Sequence, residues 1–318
     1  MSTFTLKKNI ANKFLGLFIS IVYGFFVVFS LQRLYLYGSG DVNALVNFFE
    51  DIDIFTSFNT YSIRGDGLFR IGILFLGDLF NAEPITVLSC ISFTMSSIFF
   101  YIYLVNIRSS MYLIYILPLF LLIFFTPMIT NLFASAIRSG VAFTILMVAF
   151  AYFQGIKKYI LFGLASFIHY SMLPIISLYV LFYTYKRLKI KSSFAVPFLA
   201  ILSFSFIMTS AAYILKFNIT QVSSSIFFNF LIFYVGLLII FVNKKAVNNI
   251  YGFISIGLIL VVCFGFILDI SFLRYTANAL VLYLFFLIKK GEAGTIQVFT
   301  IGYIPFFLLT LSYAIGNI

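Results

Sequence analysis

The chain has 318 residues, 63% of them apolar and only 9% charged, with a mean hydropathy of +1.13, which excludes a soluble globular domain. Apolar runs of about 20 residues match the hydrocarbon thickness of a bilayer, so the composition specifies an all-α polytopic membrane protein. The net charge of +11 comes from short basic turns between apolar runs and does not point to nucleic acid.

In chain order, the candidate spans are 14–34, 84–106, 111–127, 138–156, 194–213, 226–242, 250–268, 275–288 and 295–313, about nine in all, within a single transmembrane domain covering 1–318. The first apolar run is as long as a spanning helix and no small-residue cleavage site follows it, so it reads as a retained helix. Lys7, Lys8 and Lys13 put the N-terminus in the cytoplasm and make 35–83 an extracytoplasmic loop, the longest polar stretch of the chain. Within that loop SIRGDG, at 62–67, reads as a turn, and its RGD as a chance tripeptide. The turn leads into GLFRIGILFLGDLF, too short for a span and carrying Arg70 and Asp78; it is expected to form an outer amphipathic helix near 67–80. Arg108 then faces inward, 128–137 forms an outer loop, and Lys157 and Lys158 face inward. The two cysteines, Cys90 and Cys263, lie in distant apolar runs and read as inert thiols.

Residues 159–185, YILFGLASFIHYSMLPIISLYVLFYTY, precede the basic run KRLKIK. As one span, this segment would put Lys186, Arg187, Lys189 and Lys191 outside and invert the later basic turns at Lys244/Lys245 and Lys289/Lys290. As a hairpin of two short helices with its tip near His169–Pro174, it keeps them all inside. Pro174 favours the hairpin, because proline disrupts a helix interior and biases the residue before it away from helix. Fourteen of the 20 Lys and Arg are then inside, and eight of the nine Asp and Glu outside. The outer basic residues are Arg33, Arg64, Arg70, Arg138, Lys216 and Arg274. All but one are arginine, whose rigid fork of donors suits phosphate, so the outer face calls for an anionic ligand.

Three sets of residues could carry chemistry. Arg138, in NLFASAIRSG, and Arg274, in ILDISFLRYTANALVLYLFF, sit beside apolar runs where a charge costs about 2.5–3.5 kcal/mol at the helix centre. Each has a plain structural alternative: a snorkelling end residue for Arg138, an ion pair with Asp269 for Arg274, and a solvated loop for Arg64 and Arg70. His169, the only histidine, is flanked by Tyr170 and Ser171; it is either a general base or a packed, hydrogen-bonded side chain. Glu50, Asp51 and Asp53 could hold a divalent cation, although an acidic interfacial loop is the commoner meaning of such a cluster. Metal-free chemistry is the expectation. There is no Gly-rich phosphate loop, no GxSxG turn and no internal repeat.

The run NLFASAIRSGVAFTILMVAFAYFQGIKKYILFGLASFIHYSMLPIISLYVLF resembles the EpsG family, a branch of the Wzy-type polysaccharide polymerases. Its "IRQG-like" helix opening corresponds to Ile137-Arg138-Ser139-Gly140, with Ser139 in place of glutamine. Its "KK" turn corresponds to Lys157-Lys158, and its "ASxxHxS" to Ala165-Ser166 with His169 and Ser171. SFLRYTANALVLYLFF is similar to the family's late arginine segment, with Arg274 as the matching residue, whereas the 60–80 stretch carries Arg64-Gly-Asp66-Gly in place of the family's Glu-Pro.

The resemblance implies a GT-C-like glycosyltransferase in the bacterial cytoplasmic membrane, with its active site facing outward. It would polymerise undecaprenyl-diphosphate-linked oligosaccharide units into surface polysaccharide, such as the O-antigen of lipopolysaccharide or capsule. Arg138, Arg274, Arg70 and Arg64 would hold the diphosphate. His169, with Arg138, would be catalytic, and Asp66 and Tyr170 secondary. No cofactor is implied. The partners are lipid-linked glycan donor and acceptor, membrane lipid, and a chain-length regulator protein as a candidate. A lipid-linked oligosaccharide ligase, a flippase and a membrane acyltransferase are the alternatives.

Overall fold

A computed structural model describes residues 2–38, 42–43, 45–47, 67–107, 110–187, 195–214, 226–242, 244–267, 273–290 and 293–316. Among these every regular element is helical. In chain order they are α1 (Ser2–Leu36), α2 (Gly67–Phe80), α3 (Pro84–Asn106), α4 (Ser110–Phe124), α5 (Pro127–Ala134), α6 (Ile137–Tyr152) and α7 (Ile156–Ile168). There follow α8 (Leu173–Arg187), α9 (Ala195–Ile214), α10 (Ile226–Val242), α11 (Ile250–Ile267), α12 (Leu273–Lys290) and α13 (Ala293–Gly316). Short 3-10 turns occupy Tyr170–Met172 and Lys244–Asn248. Four described helices are long and apolar enough to cross a membrane alone: Lys13–Leu36 of α1, α3, α11, and Ala293–Ser312 of α13. The bent pair α4 and α5 makes a fifth if it counts as one span, so the chain is a multi-pass helical membrane protein. The expected nine spans also count shorter apolar helices such as α6.

The chain forms two compact units, Met1–Asn106 with Thr130–Leu173, and Ile107–Ile129 with Pro174–Ile318. The first is built on α1 and α3. Lipid offers apolar side chains no solvent to escape, so helices in a membrane join where small residues let backbones approach. Gly16, Ser20 and Gly24 form such a stripe, one turn apart, on α1. A Cβ on Gly24 would collide with the Ser97 hydroxyl and lie 2.9 Å from the Phe93 ring. Tyr23 stacks on Phe100 at 4.5 Å, and the Gln32 side-chain amide donates to the Ser89 hydroxyl at 2.9 Å. On its other side α3 receives α6, with the Phe99 ring between those of Phe133 and Phe143 at 5.0 and 5.5 Å. α7 folds back along α6, the Phe150 and Phe162 rings meeting edge-on at 5.3 Å. The link between them is three residues long, and Gly155 in it has φ +60°, a conformation that side chains rarely adopt.

In the second unit α11 is buried along most of its length against α9, α10 and α12. The Ser205 hydroxyl donates to the Gly257 carbonyl at 3.0 Å, and that of Ser255 to the Ala279 carbonyl at 2.7 Å. Leu178 of α8 fills the space over Gly257, where a Cβ would fall 2.6 Å from its Cδ2. α12 is buried at every residue from Tyr275 to Ile288. α13 packs on α4, the Thr126 and Tyr303 hydroxyls meeting at 2.9 Å just past the end of α4.

One expected loop is a helix. Within 128–137, residues up to Ala134 belong to α5, which opens on Pro127. Proline suits a helix's first position, because its missing N–H would have had no partner there. Phe125 and Thr126 form the break, bent by 53°, and the Thr126 hydroxyl donates to the Leu122 carbonyl that the break frees. The span expected at 138–156 stops at Tyr152, ahead of Gly155. The helix expected near 67–80 is present as Gly67–Phe80, with Phe69, Ile73 and Leu74 buried and Phe75, Asp78 and Leu79 exposed. In 159–185 the helix breaks at His169, and Pro174 stands in the first turn of α8, where proline is tolerated. α7 packs in the first unit and α8 in the second.

Candidate functional site

The antiparallel pair α6–α7 decides which candidates meet. Arg138 is the second residue of α6, and His169 follows the last residue of α7. With a tight link at the far end and a rise of about 1.5 Å per residue in both helices, the two residues stand at the same end of the pair. The Tyr170–Met172 turn packs on both helices, and α2, which carries Arg70, packs on α3 and α7. Arg138, His169, Tyr170 and Arg70 all belong to the first unit.

His169 is 5% exposed and held through its backbone. Its N–H donates to the Ala165 carbonyl at 3.0 Å, and its carbonyl accepts from Met172 N–H at 3.1 Å. Its own backbone is extended (φ −155°, ψ 117°), so the side chain leaves the helix axis at a fixed point. The imidazole meets the Tyr170 ring edge-on at 5.1 Å, and Tyr170 is 39% exposed. A base fixed in this way, beside a partly open aromatic, can take a proton from a bound hydroxyl.

Arg138 is half-buried where the chain turns from α5 into α6. That turn is pinned. The Ser92 hydroxyl donates to the Phe133 carbonyl at 2.7 Å, and a Cβ on Gly140 would lie 2.5 Å from the Leu132 carbonyl oxygen. The N-cap residue of α6, Ala136, makes no side-chain cap bond, and the first turn holds no acidic residue. A helix start carries a partial positive charge and favours acids. An arginine there concentrates positive potential on one spot, which suits an anion.

Arg274 is likewise the second residue of its helix, α12, which also has no acidic residue in its first turn. It belongs to the other unit. Arg64, Asp66, Glu50, Asp51, Asp53 and Asp269 lie outside the described residues. At the far end of the α6–α7 pair, Lys158 is half-buried with its ammonium 5.9 Å from the Phe150 ring centroid, and desolvation lowers its pKa from the ordinary lysine value.

Several buried polar atoms escaped the sequence reading. The Ser139 hydroxyl, in a residue 2% exposed, has no hydrogen-bond partner. The same holds on α12 for the Thr276 hydroxyl, the Asn278 carbonyl oxygen and the Tyr283 hydroxyl. The signal was polar residues inside apolar runs, in IRSGVAF and YTANALVLY.

Comparison with protein-family models, with curated proteins and with solved structures found no match.

Proposed function

We propose that the protein is a membrane glycosyltransferase that joins lipid-linked oligosaccharide units into a surface polysaccharide. The observation that carries this reading is the α6–α7 pair, which sets an arginine in the first turn of α6 at the same end as the chain's only histidine. An acceptor hydroxyl would attack the anomeric carbon of the growing chain, and the bond from that carbon to the diphosphate oxygen would break. His169 takes the hydroxyl proton; the prenyl diphosphate leaves, its charge held by Arg138 with Arg70, and Arg274 of the second unit is a separate candidate for a diphosphate contact. Arginine is suited to this because it offers two parallel donors to one phosphate. The topology belongs to the same proposal: about nine spans plus the 159–185 hairpin, N-terminus in the cytoplasm, the site open to the outer face of a bacterial cytoplasmic membrane, and a GT-C-like arrangement.

Deleting the gene and running the surface glycan on a gel tests the function. A lost ladder with a single repeat retained supports the polymerase. Loss of all surface glycan favours a flippase or ligase, and an unchanged ladder removes the proposal. For topology, Gly155→Cys and Ser192→Cys should resist an impermeant thiol reagent in intact cells, while Asn218→Cys reacts; labelling of Ser192→Cys from outside rules out the hairpin. Activity is expected to persist in chelator; its loss, with rescue by manganese or magnesium, would shift the weight to Glu50, Asp51 and Asp53.

A further inference from the structure

In the second unit several helix ends meet at one place, and the packing on α11 fixes which. α8 runs antiparallel to α11: Leu178 meets Gly257, and the Phe182 ring lies 5.2 Å from that of Phe253. Lys186 and Arg187, one turn further, therefore stand beside the start of α11. α12 also runs antiparallel to α11, Ser255 donating to the Ala279 carbonyl and the Tyr251 ring meeting Phe285 at 4.8 Å, which brings Lys289 and Lys290 to the same end. α9 runs parallel to α11, since Ser205 donates to the Gly257 carbonyl and Thr209 to that of Val261, so its first turns belong there too. The Lys244–Asn248 turn, which carries Lys244 and Lys245, packs on α9, α10 and α11. A Cβ on Gly252 would collide with the Ala246 carbonyl, so that turn is pinned against α11.

Six cations thus share one end of the unit, and no acid occurs among the unit's described residues. Glu292, two residues past Lys290 and outside the described residues, offsets one of the six at most. Charges that only orient a chain in the membrane can face inward anywhere; these are also gathered and seated on aromatic rings. The Lys186 ammonium lies 5.6 Å from the Phe182 centroid and 6.0 Å from that of Tyr185, and the Lys289 ammonium 5.4 Å from that of Phe285. A ring face attracts an ammonium and orders its stem without neutralising it. Lys186 and Arg187 are exposed, and exposed apolar residues follow just inward of them: Tyr183 and Val180 on α8, and Leu199 near the start of α9. Cations at a rim with open apolar surface beside it match the order of groups in a lipid. We propose that this end is a binding site for anionic phospholipid, with the headgroup phosphate on the cations and the acyl chains along Val180, Tyr183 and Leu199. The site stands apart from the glycosyltransferase reading; on the topology proposed with it, the lipid belongs to the inner leaflet.

The chain has no tryptophan, so Tyr183→Trp supplies a single fluorescent reporter at the patch and Leu199→Trp a second, independent one. The full chain is placed in nanodiscs of equal parts phosphatidylglycerol and phosphatidylcholine, with one lipid or the other brominated to quench the reporter. Phosphatidylglycerol should be preferred by about fivefold or more, the worth of a single cation near an anionic lipid surface. Lys186→Gln combined with Arg187→Gln should cut that preference by about fivefold or more, whereas Lys186→Arg should keep it. Lys157→Gln combined with Lys158→Gln, in the first unit, should leave it unchanged. Equal quenching by the two lipids at both reporters, with every cation in place, overturns the site and needs no charge variant to fold. A preference that survives the Lys186 and Arg187 substitutions, or that falls equally with those at Lys157 and Lys158, belongs to the overall charge of the protein and overturns the patch.

Discussion

Arg138 and Arg274 each stand second in a helix whose first turn holds no acid, yet the two helices sit in contrasting surroundings. On α6 a half-buried stripe runs through Arg138, Ile145, Val148 and Ala151 and ends at the exposed Tyr152. α12 shows no such stripe; Tyr275 to Ile288 are buried throughout, with Thr276, Asn278 and Tyr283 enclosed among them. α6 also has the buried His169 at its end of the α6–α7 pair. On the proposed reading the bond-making chemistry belongs to the α6 start, and Arg274 at the buried α12 is a separate candidate for a diphosphate contact.

The largest expected effect sharpens that division. His169→Ala should slow polymer formation by about 10²–10⁴-fold, the usual worth of a general base, while diphosphate binding survives. His169→Gln keeps a hydrogen bond but takes no proton at neutral pH, so it should be nearly as slow, and the acid limb of the rate–pH profile should vanish with it. A glutamine variant near the wild-type rate would leave His169 a packed residue and remove the asymmetry.

Next come the two arginines. Arg138→Lys and Arg274→Lys keep charge but lose the bidentate fork, so each should cost roughly ten- to a hundredfold in activity. Both proteins should still accumulate in the membrane, since lysine and arginine cost about the same to insert. If only Arg138→Lys is impaired, the likeness of the two helix starts is superficial; if neither is, both are snorkelling or ion-paired residues.

Stability separates the units on a smaller scale. At Gly140 an added Cβ meets a backbone oxygen at 2.5 Å, which has little freedom to move, so Gly140→Ala should cost about 1–3 kcal/mol by thermal unfolding in detergent. At Gly257 it meets the ends of Leu178 at 2.6 and 2.7 Å, which can rotate away, so Gly257→Ala should cost less. Equal losses would mean that the α5–α6 turn yields as readily as a leucine side chain. The smallest effect belongs to Thr276→Val, expected to be neutral or to stabilise by up to about 1 kcal/mol, because it removes a buried hydroxyl without a partner. A marked loss of stability would show that the hydroxyl is satisfied in the membrane.

Helix positions were legible where hydrophobic length and charge agree. The bounds of 84–106 and 226–242 are those of α3 and α10. α5 was not, because Thr126, Thr130, Asn131 and Ser135 read as a polar loop, whereas Pro127 opens a helix that needs no partner for its missing N–H. The α1 stripe of Gly16, Ser20 and Gly24 was visible as small residues one turn apart, but only the packing against Phe93 and Ser97 gives it meaning. In the candidate site, the sequence supplied Arg138 and His169. That they share an end depends on the tight Gly155 link, and Ser139 stood out only once its hydroxyl proved enclosed.

The division of the chain between units has a consequence for how the protein is made. α4 emerges between two segments of the first unit, yet its partners are α12 and α13. About 150 residues separate Phe124 from Leu273, so at roughly 5–20 residues per second α4 waits on the order of 10–30 s for those neighbours. During that time Thr126 has no Tyr303 to meet. Biogenesis must therefore carry α4 as an incomplete part, and nascent chains stalled before α12 are the ones expected to expose it to membrane quality control.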